Sequence, residues 1–206
     1  MKLIVFGATG GVGSQFIQQA LAKGDTVTAF VRTPAKFTLE HENLVVVEGN
    51  ATDYAAVEKA VKGHDVVVSC LGSDAGMKKS SQLFDMTKNI VDAMKANDLT
   101  KIAYTASAGI HKEIPGLAGK SVMLMLKNPL EDHRNAVNYI KENGLTYIIA
   151  RPLGLKNGPL TGVYNEAKEG VPGTSNQISR SNVAHFLLKA IHDPAYDNTS
   201  VGLCDA

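Results

Sequence analysis

The first fourteen residues limit what this chain can fold into more than any other stretch. Leu3-Ile4-Val5-Phe6 is a continuous apolar run, the pattern of a strand buried on both faces of a parallel sheet, and it leads straight into Gly7-Ala8-Thr9-Gly10-Gly11-Val12-Gly13-Ser14. Phe16, Ile17, Ala20 and Leu21 then recur at helical spacing, and Lys23-Gly24 supplies a basic last turn followed by a residue that tolerates positive φ. The order is strand, glycine turn, helix. Within it Gly7 permits the tight turn off the strand, Gly10 lets the main chain approach a pyrophosphate, and Gly13 lets the helix pack on the strand. The helix start then offers unpaired N–H groups and a positive dipole to an anion. The expected loop contacts to a nucleotide are Gly7, Thr9, Gly10, Gly11, Val12 and Gly13.

The rest of the first half alternates strands with helices. Strands are expected at Thr26 to Val31, Leu44 to Val47, Val66 to Val68 and Ile102 to Thr105, with the polar stretch Thr33 to Asn43 as one crossover. Thr52-Asp53 caps a short helix ending at Gly63, and a longer helix carries Leu83, Met86, Ile90, Val91 and Met94 on its inner face. Asn128-Pro129-Leu130-Glu131 has the cap, N1 proline and N3 glutamate of a helix start. That helix carries Leu130, His133, Val137 and Ile140 on one stripe and stops at Gly144. Thr146 to Ala150 is a sixth strand, Asn182 to His192 a final helix, and an edge strand around Val201 closes the chain. Val122-Met123-Leu124-Met125-Leu126 suits either a buried packing segment or an adaptable wall for a flat ligand. Strict alternation predicts right-handed crossovers. The expected product is one α/β Rossmann domain over residues 1–206, a doubly wound parallel sheet with helices on both faces and ligand at the strands' carboxyl ends. The substrate cleft is expected from the loops after strands four to six and the C-terminal segment.

Composition narrows the partners. The chain of 206 residues fits one such domain, and 21 basic against 20 acidic residues leave a formal charge of +1, which points to no nucleic acid or membrane surface. Two cysteines, Cys70 and Cys204, make neither a disulfide framework nor a zinc site and suit a reducing, cytoplasmic setting. The apolar run after Lys2 breaks at Gly7, too short for a signal peptide, and no stretch approaches the roughly 20 apolar residues of a membrane span. His41, His64, His111, His185 and His192 form no metal-ligand constellation, so no metal is expected.

The end of the second strand meets the adenosine ribose in this architecture, and an NAD site places Asp or Glu there. Here the residue is Arg32, followed by Thr33 and Lys36. A guanidinium can stack on adenine and grip a 2′-phosphate bidentately, so NADP(H) is favoured, with NAD(H) possible. Asn50 and Ala51 after strand three, and Leu71, Gly72 and Ser73 after strand four, are the next expected contacts. Ala106, Ser107, Pro152 and Leu153 complete the set. Asp53 is better explained as a helix cap, and Ser107 is placed toward the nicotinamide.

The pattern GATGGVGS, the pair Val31-Arg32, the strand ending Thr105-Ala106-Ser107-Ala108, and Pro159-Leu160-Thr161-Gly162 with the later His185-Phe186 resemble the atypical short-chain dehydrogenase/reductases. The closer likeness is to their NmrA-like NAD(P)-binding branch, which includes NADPH-dependent flavin reductases of the biliverdin reductase B type. The resemblance implies a single-domain monomer that moves hydride from NADPH to a small, flat conjugated acceptor, with flavin as substrate rather than bound prosthetic group. It also implies a nicotinamide-side role for Ser107 and a pocket-side role for His133, which the apolar stripe reads instead as a core histidine. Leu153 and Thr105 stand where the vertebrate enzyme of that type has histidine and a reactive cysteine, so biliverdin as substrate and thiol chemistry do not follow.

Ordinary short-chain dehydrogenases place Tyr-x-x-x-Lys about a dozen residues after the strand-five serine to protonate an alkoxide. Gly119 and Lys120 occupy that range here, and Tyr164 with Lys168 follow strand six, too late in the order. A simple ketone would leave a localised oxyanion with no acid to meet it. A flavin or quinone spreads the incoming electron pair over its rings. The alternative is a non-enzymatic NmrA-like redox sensor sharing the same nucleotide site, while a small sugar-nucleotide epimerase would need the Tyr/Lys pair.

Overall fold

β1 (Lys2–Phe6) alternates its side chains between two cores: Leu3 and Val5 enter one, Ile4 and Phe6 the other. The first core is closed by α1 (Gly11–Lys23) and α6 (Arg180–Ile191), through Phe16, Ile17, Phe186 and Leu187. The second is closed by α2 (Tyr54–Val61), α3 (Gln82–Ala96) and α5 (Lys127–Glu142), through Val57, Ile90, Met94 and Val137. The computed structural model describes residues 1–173 and 175–206.

The strands are β2 (Thr26–Val31), β3 (Leu44–Glu48), β4 (Val66–Ser69), β5 (Lys101–Thr105), β6 (Thr146–Pro152), β8 (Tyr164–Ala167) and β10 (Thr199–Asp205) in the main sheet. A small parallel pair, β7 (Gly154–Lys156) with β9 (Gln177–Ser179), stands beside it. The main sheet runs β3-β2-β1-β4-β5-β6-β10-β8, and only the β10 to β8 pairing is antiparallel. The chain moves outward from β1 to β3 and then returns to the other side of β1, so the order reverses between β1 and β4. Doubly wound sheets bind ligands at such a reversal.

Several boundaries differ from expectation. The strand around Val201 is not an edge: β10 lies between β6 and β8, with Val201, Gly202, Leu203 and Cys204 all buried, the pattern of an interior strand. β8 takes the edge instead. The apolar run 122–126 belongs mostly to α4 (Gly116–Met125), and it is not a buried segment, since Leu124 and Met125 are 75% and 64% exposed. α5 begins at Lys127, not at an Asn128 cap, and the Asn128 amide instead donates to the Met77 carbonyl. α6 begins at Arg180, two residues early, because Ser179 accepts from the Asn182 N–H and caps it.

Asp53 caps α2 as expected, accepting from the Ala55 and Ala56 N–H groups. α3 has no side-chain cap from its own Ser81, and the deficit is met from another helix. The buried Asp132 carboxylate of α5 accepts from Leu83 N–H at 3.0 Å and Phe84 N–H at 2.9 Å. Asp132→Ala would leave both donors unmet, so urea unfolding should show a loss of about 1–3 kcal/mol with an unchanged m value.

Candidate nucleotide site

A crevice of about 280 Å³ opens at the carboxyl ends of β1 to β4, where the strand order reverses. Its lining includes Gly7, Thr9 and Gly10 after β1, Arg32 after β2, Asn50 and Ala51 after β3, and Leu71, Gly72 and Ser73 after β4. These nine residues are ones for which the sequence predicts cofactor contact. They are far apart in the chain and meet because parallel pairing aligns the strand ends, Phe6 beside both Phe30 and Ser69.

The glycine turn is built too tightly for any side chain. Gly7 sits at φ +78°, and a Cβ there would lie 2.4 Å from the Cys70 carbonyl oxygen. A Cβ on Gly13 would lie 2.2 Å from the Gly7 carbonyl oxygen. Gly10 N–H donates to Gly7 O at 2.9 Å and closes the turn. Gly10 offers α1 no side-chain cap, and the first turn of α1 carries no acidic residue. Gly10, which precedes the helix, lines the crevice, and the first turn of α1 brings no carboxylate of its own beside it, an arrangement that suits a phosphate cradle. The Val12 side chain turns into the core, so its contribution is main chain only.

The remaining predicted contacts stand around this lining, not in it. Lys36 faces a neighbouring cavity of about 170 Å³ shared with Ala8 and Thr9, and Thr33 precedes a short 3₁₀ turn over Pro34–Lys36. Ala106, Ser107, Pro152 and Leu153 lie further along the carboxyl edge. There Ala106 N–H donates to Ala150 O, Ala108 N–H to Pro152 O and Leu153 N–H to Leu203 O. Ser107 Oγ donates to the Ala108 carbonyl at 3.1 Å. His133 and Tyr104 share a hydrogen bond, Nδ1 to hydroxyl, at 3.0 Å. Burial pushes the His133 pKa down to about 4, so the imidazole is neutral at physiological pH. His133 is half-buried, against the fully buried Tyr104 and at the margin of the core rather than within it.

Other groups limit the chemistry further. Cys70 lines the crevice, and burial pushes its thiol up to about 11, with a smaller opposing effect from the Thr105 hydroxyl, so it is no nucleophile near neutrality. Tyr164 pairs with His185 at 3.0 Å on the β8 edge, away from Ser107, and burial raises its phenol to about 12. The Lys168 carbonyl is held by Arg151. The Tyr164/Lys168 spacing therefore builds no acid at the crevice. Among the described residues no group of three or more His, Cys, Asp or Glu could hold a metal ion. Nor is any described helix long and apolar enough to cross a membrane.

Three residues of the site are invisible to motif reading. Asp74 and Gln82 join the crevice lining from the turn and helix after β4. Arg180, the first residue of α6, lies flat over Gly11: a Cβ on Gly11 would come within 2.4 Å of the arginine Cδ. Its guanidinium donates to Asn157 Oδ1 at 2.9 Å, and this puts a cation beside the start of α1. The Pro159 to Gly162 motif also gains a role here. Thr161 N–H and Gly162 N–H both donate to the buried Asn182 Oδ1, which fastens that loop to the first turn of α6.

Known proteins share this chain's sequence pattern and its fold. An uncharacterized chloroplastic protein from Arabidopsis thaliana is 28% identical across 92% of this chain and 71% of its own length. A short-chain dehydrogenase/reductase from Veillonella parvula, solved in complex with NADP, superposes with a TM-score of 0.85 at 23% identity, covering 99% of this chain and 94% of that one. An anaerobillin reductase from Escherichia coli O157:H7 superposes with a TM-score of 0.82 at 20% identity, covering 100% and 97%. A family model described as NAD(P)H-binding matches residues 7–194, from the glycine turn to beyond the end of α6, and the chain belongs to that NAD(P)H-binding family.

Proposed function

We propose that this protein is an NADPH-dependent reductase that passes hydride to a flavin or a similar flat conjugated acceptor. What carries the reading is a tight glycine cradle with Arg32 at its ribose end, in a chain that offers no tyrosine acid beside Ser107. Bound reduced nicotinamide supplies the hydride. The first N–H groups of α1 would hold the pyrophosphate, Arg32 would meet the 2′-phosphate, and Arg180 would add positive charge at the cradle's outer side. Ser107, whose hydroxyl proton goes to the Ala108 carbonyl, would orient the reacting edge by accepting a hydrogen bond. The half-buried, neutral His133 is no strong acid, so protonation of the reduced acceptor falls to solvent, and rate comes from proximity and orientation.

A groove of about 580 Å³ beyond the loop after β5 supports an acceptor on this side. Met123, Leu124 and Leu130 give it an apolar, adaptable wall, and Lys112, Lys120, Lys127 and Arg134, against the single carboxylate of Glu131, give it a net positive rim. A conjugated ring bearing an acidic group matches that surface.

Following NADPH oxidation with FMN, riboflavin and a quinone tests the proposal. Acceptor-dependent turnover is the expected result, whereas saturable NADPH binding with no turnover on any of the three would favour the redox-sensor alternative. Ser107→Ala should slow flavin reduction by about two- to tenfold, the worth of one neutral hydrogen bond, with NADPH affinity unchanged. Complete loss would mean that the serine takes a direct part in the chemistry.

A further inference from the structure

We propose that Asp74 sets the choice between NADPH and NADH by holding Arg32 across the mouth of the crevice. The proposal rests on the crevice being the nucleotide site. The β2 end has an arginine where an NAD site has a carboxylate, but the fold brings a carboxylate to the same place from the turn after β4. Asp74 Oδ2 lies 2.7 Å from Arg32 Nη1, and Oδ1 lies 3.5 Å from Nη2. Both residues line the crevice.

The turn that presents Asp74 is fixed from the first residue of α3. Gln82 Oε1 accepts from Asp74 N–H at 2.9 Å and from Ser73 Oγ at 3.1 Å, and Ala75 N–H donates to Ser73 Oγ at 3.1 Å. The backbone that carries the carboxylate is held in place, but the ion pair is weak, because the two side chains are 63% and 62% exposed. A 2′-phosphate must take Arg32 from Asp74 and then tolerate a carboxylate beside it. The 2′-hydroxyl of NADH makes no such demand, and the carboxylate can accept from it while keeping the arginine. Asp74 therefore opposes NADPH and supports NADH within one site.

The test is direct titration of each reduced nucleotide, read by fluorescence or calorimetry, on the wild-type chain and on Asp74→Asn. An exposed ion pair is worth up to about fivefold, and relief of like-charge repulsion adds to it, so Asp74→Asn should bind NADPH about five- to tenfold more tightly at low salt. NADH should bind about threefold more weakly for loss of a charged acceptor, and the NADPH gain should shrink as salt rises. Saturable wild-type binding that Asp74→Asn leaves unchanged, or moves in the same direction for both nucleotides, overturns the role of Asp74 alone. No saturable wild-type binding of either nucleotide overturns the crevice assignment and this proposal with it.

Discussion

Replacing Glu113 with alanine should lower the melting temperature by roughly 6–20 °C, from a loss of about 3–5 kcal/mol when one partner of a buried ion pair is removed. The pair joins Glu113 to Arg151, whose side chain is 2% exposed. Arg151 also donates to the carbonyls of Lys168, Gly170 and Ser200 and to the Ser200 hydroxyl. One guanidinium thus gathers the loop after β5, the β8 to β9 segment and β10 around the end of β6. Alanine at 113 would strand that cation among carbonyls. Differential scanning fluorimetry is sufficient, and a shift under 3 °C would show that the carbonyls alone hold the arginine.

The same pair has a pH signature. Burial alone would raise the Glu113 pKa, but hydrogen bonds from the backbone and from Arg151, with the arginine's charge, outweigh it and leave the carboxyl below its usual range. A depressed folded pKa contributes stability above the unfolded value of about 4.3, and that contribution is lost as pH falls through the folded one. His133 acts in the same direction over a higher window. Its folded pKa of about 4 lies below the unfolded value, so stability drains away as pH falls below roughly 6.5. Melting temperature should therefore decline on acidification over both windows, and Glu113→Ala should make the lower decline shallower without removing it, because Asp25, Asp92 and Asp205 are also held below the usual carboxylate range.

Gly13→Ala is the second large effect, and it should fall on nucleotide binding. The new methyl would lie 2.2 Å from the Gly7 carbonyl oxygen and 3.2 Å from the Ala8 Cα, both main-chain atoms with no rotamer to escape into. The turn would have to open by about 1 Å to restore ordinary contact. A displacement of that size costs about a hundredfold where geometry is demanding, so NADPH affinity should fall about that much in a chain that still folds. Unaltered affinity would show that phosphate is held elsewhere.

Much of this site was open to sequence reading because its signals are local. A strand, three spaced glycines and a helix occupy one short run, and the Arg32 position follows from counting to the end of the next strand. Asp74 and Arg180 were hidden because their importance arises from parallel pairing and from α6 crossing α1, which no spacing encodes. Asp132 was hidden for the same reason, since a cap supplied by a distant helix leaves Ser81 and Gln82 looking ordinary. The Val201 strand was misplaced because a short run near a chain end looks like an edge, and only its burial on both faces reveals the antiparallel β8 beyond it. The Val122 to Leu126 run differs in the opposite way from one of its two readings: apolar composition predicts a buried segment, whereas Leu124 and Met125 stand open to solvent, and the reading as a wall for a flat ligand stays open.

The division of β1 between two cores separates the rigid part of this site from its adjustable part. Leu3 and Val5 on one side, with Ile4 and Phe6 on the other, bolt the floor beneath Gly7 to both helical layers, so alteration there is paid in folding. Arg32 and Asp74 project from the rim into water, where replacement costs the fold almost nothing. If the proposed roles of Arg32 and Asp74 hold, cofactor preference can be altered at the rim while the glycine turn beneath it stays fixed.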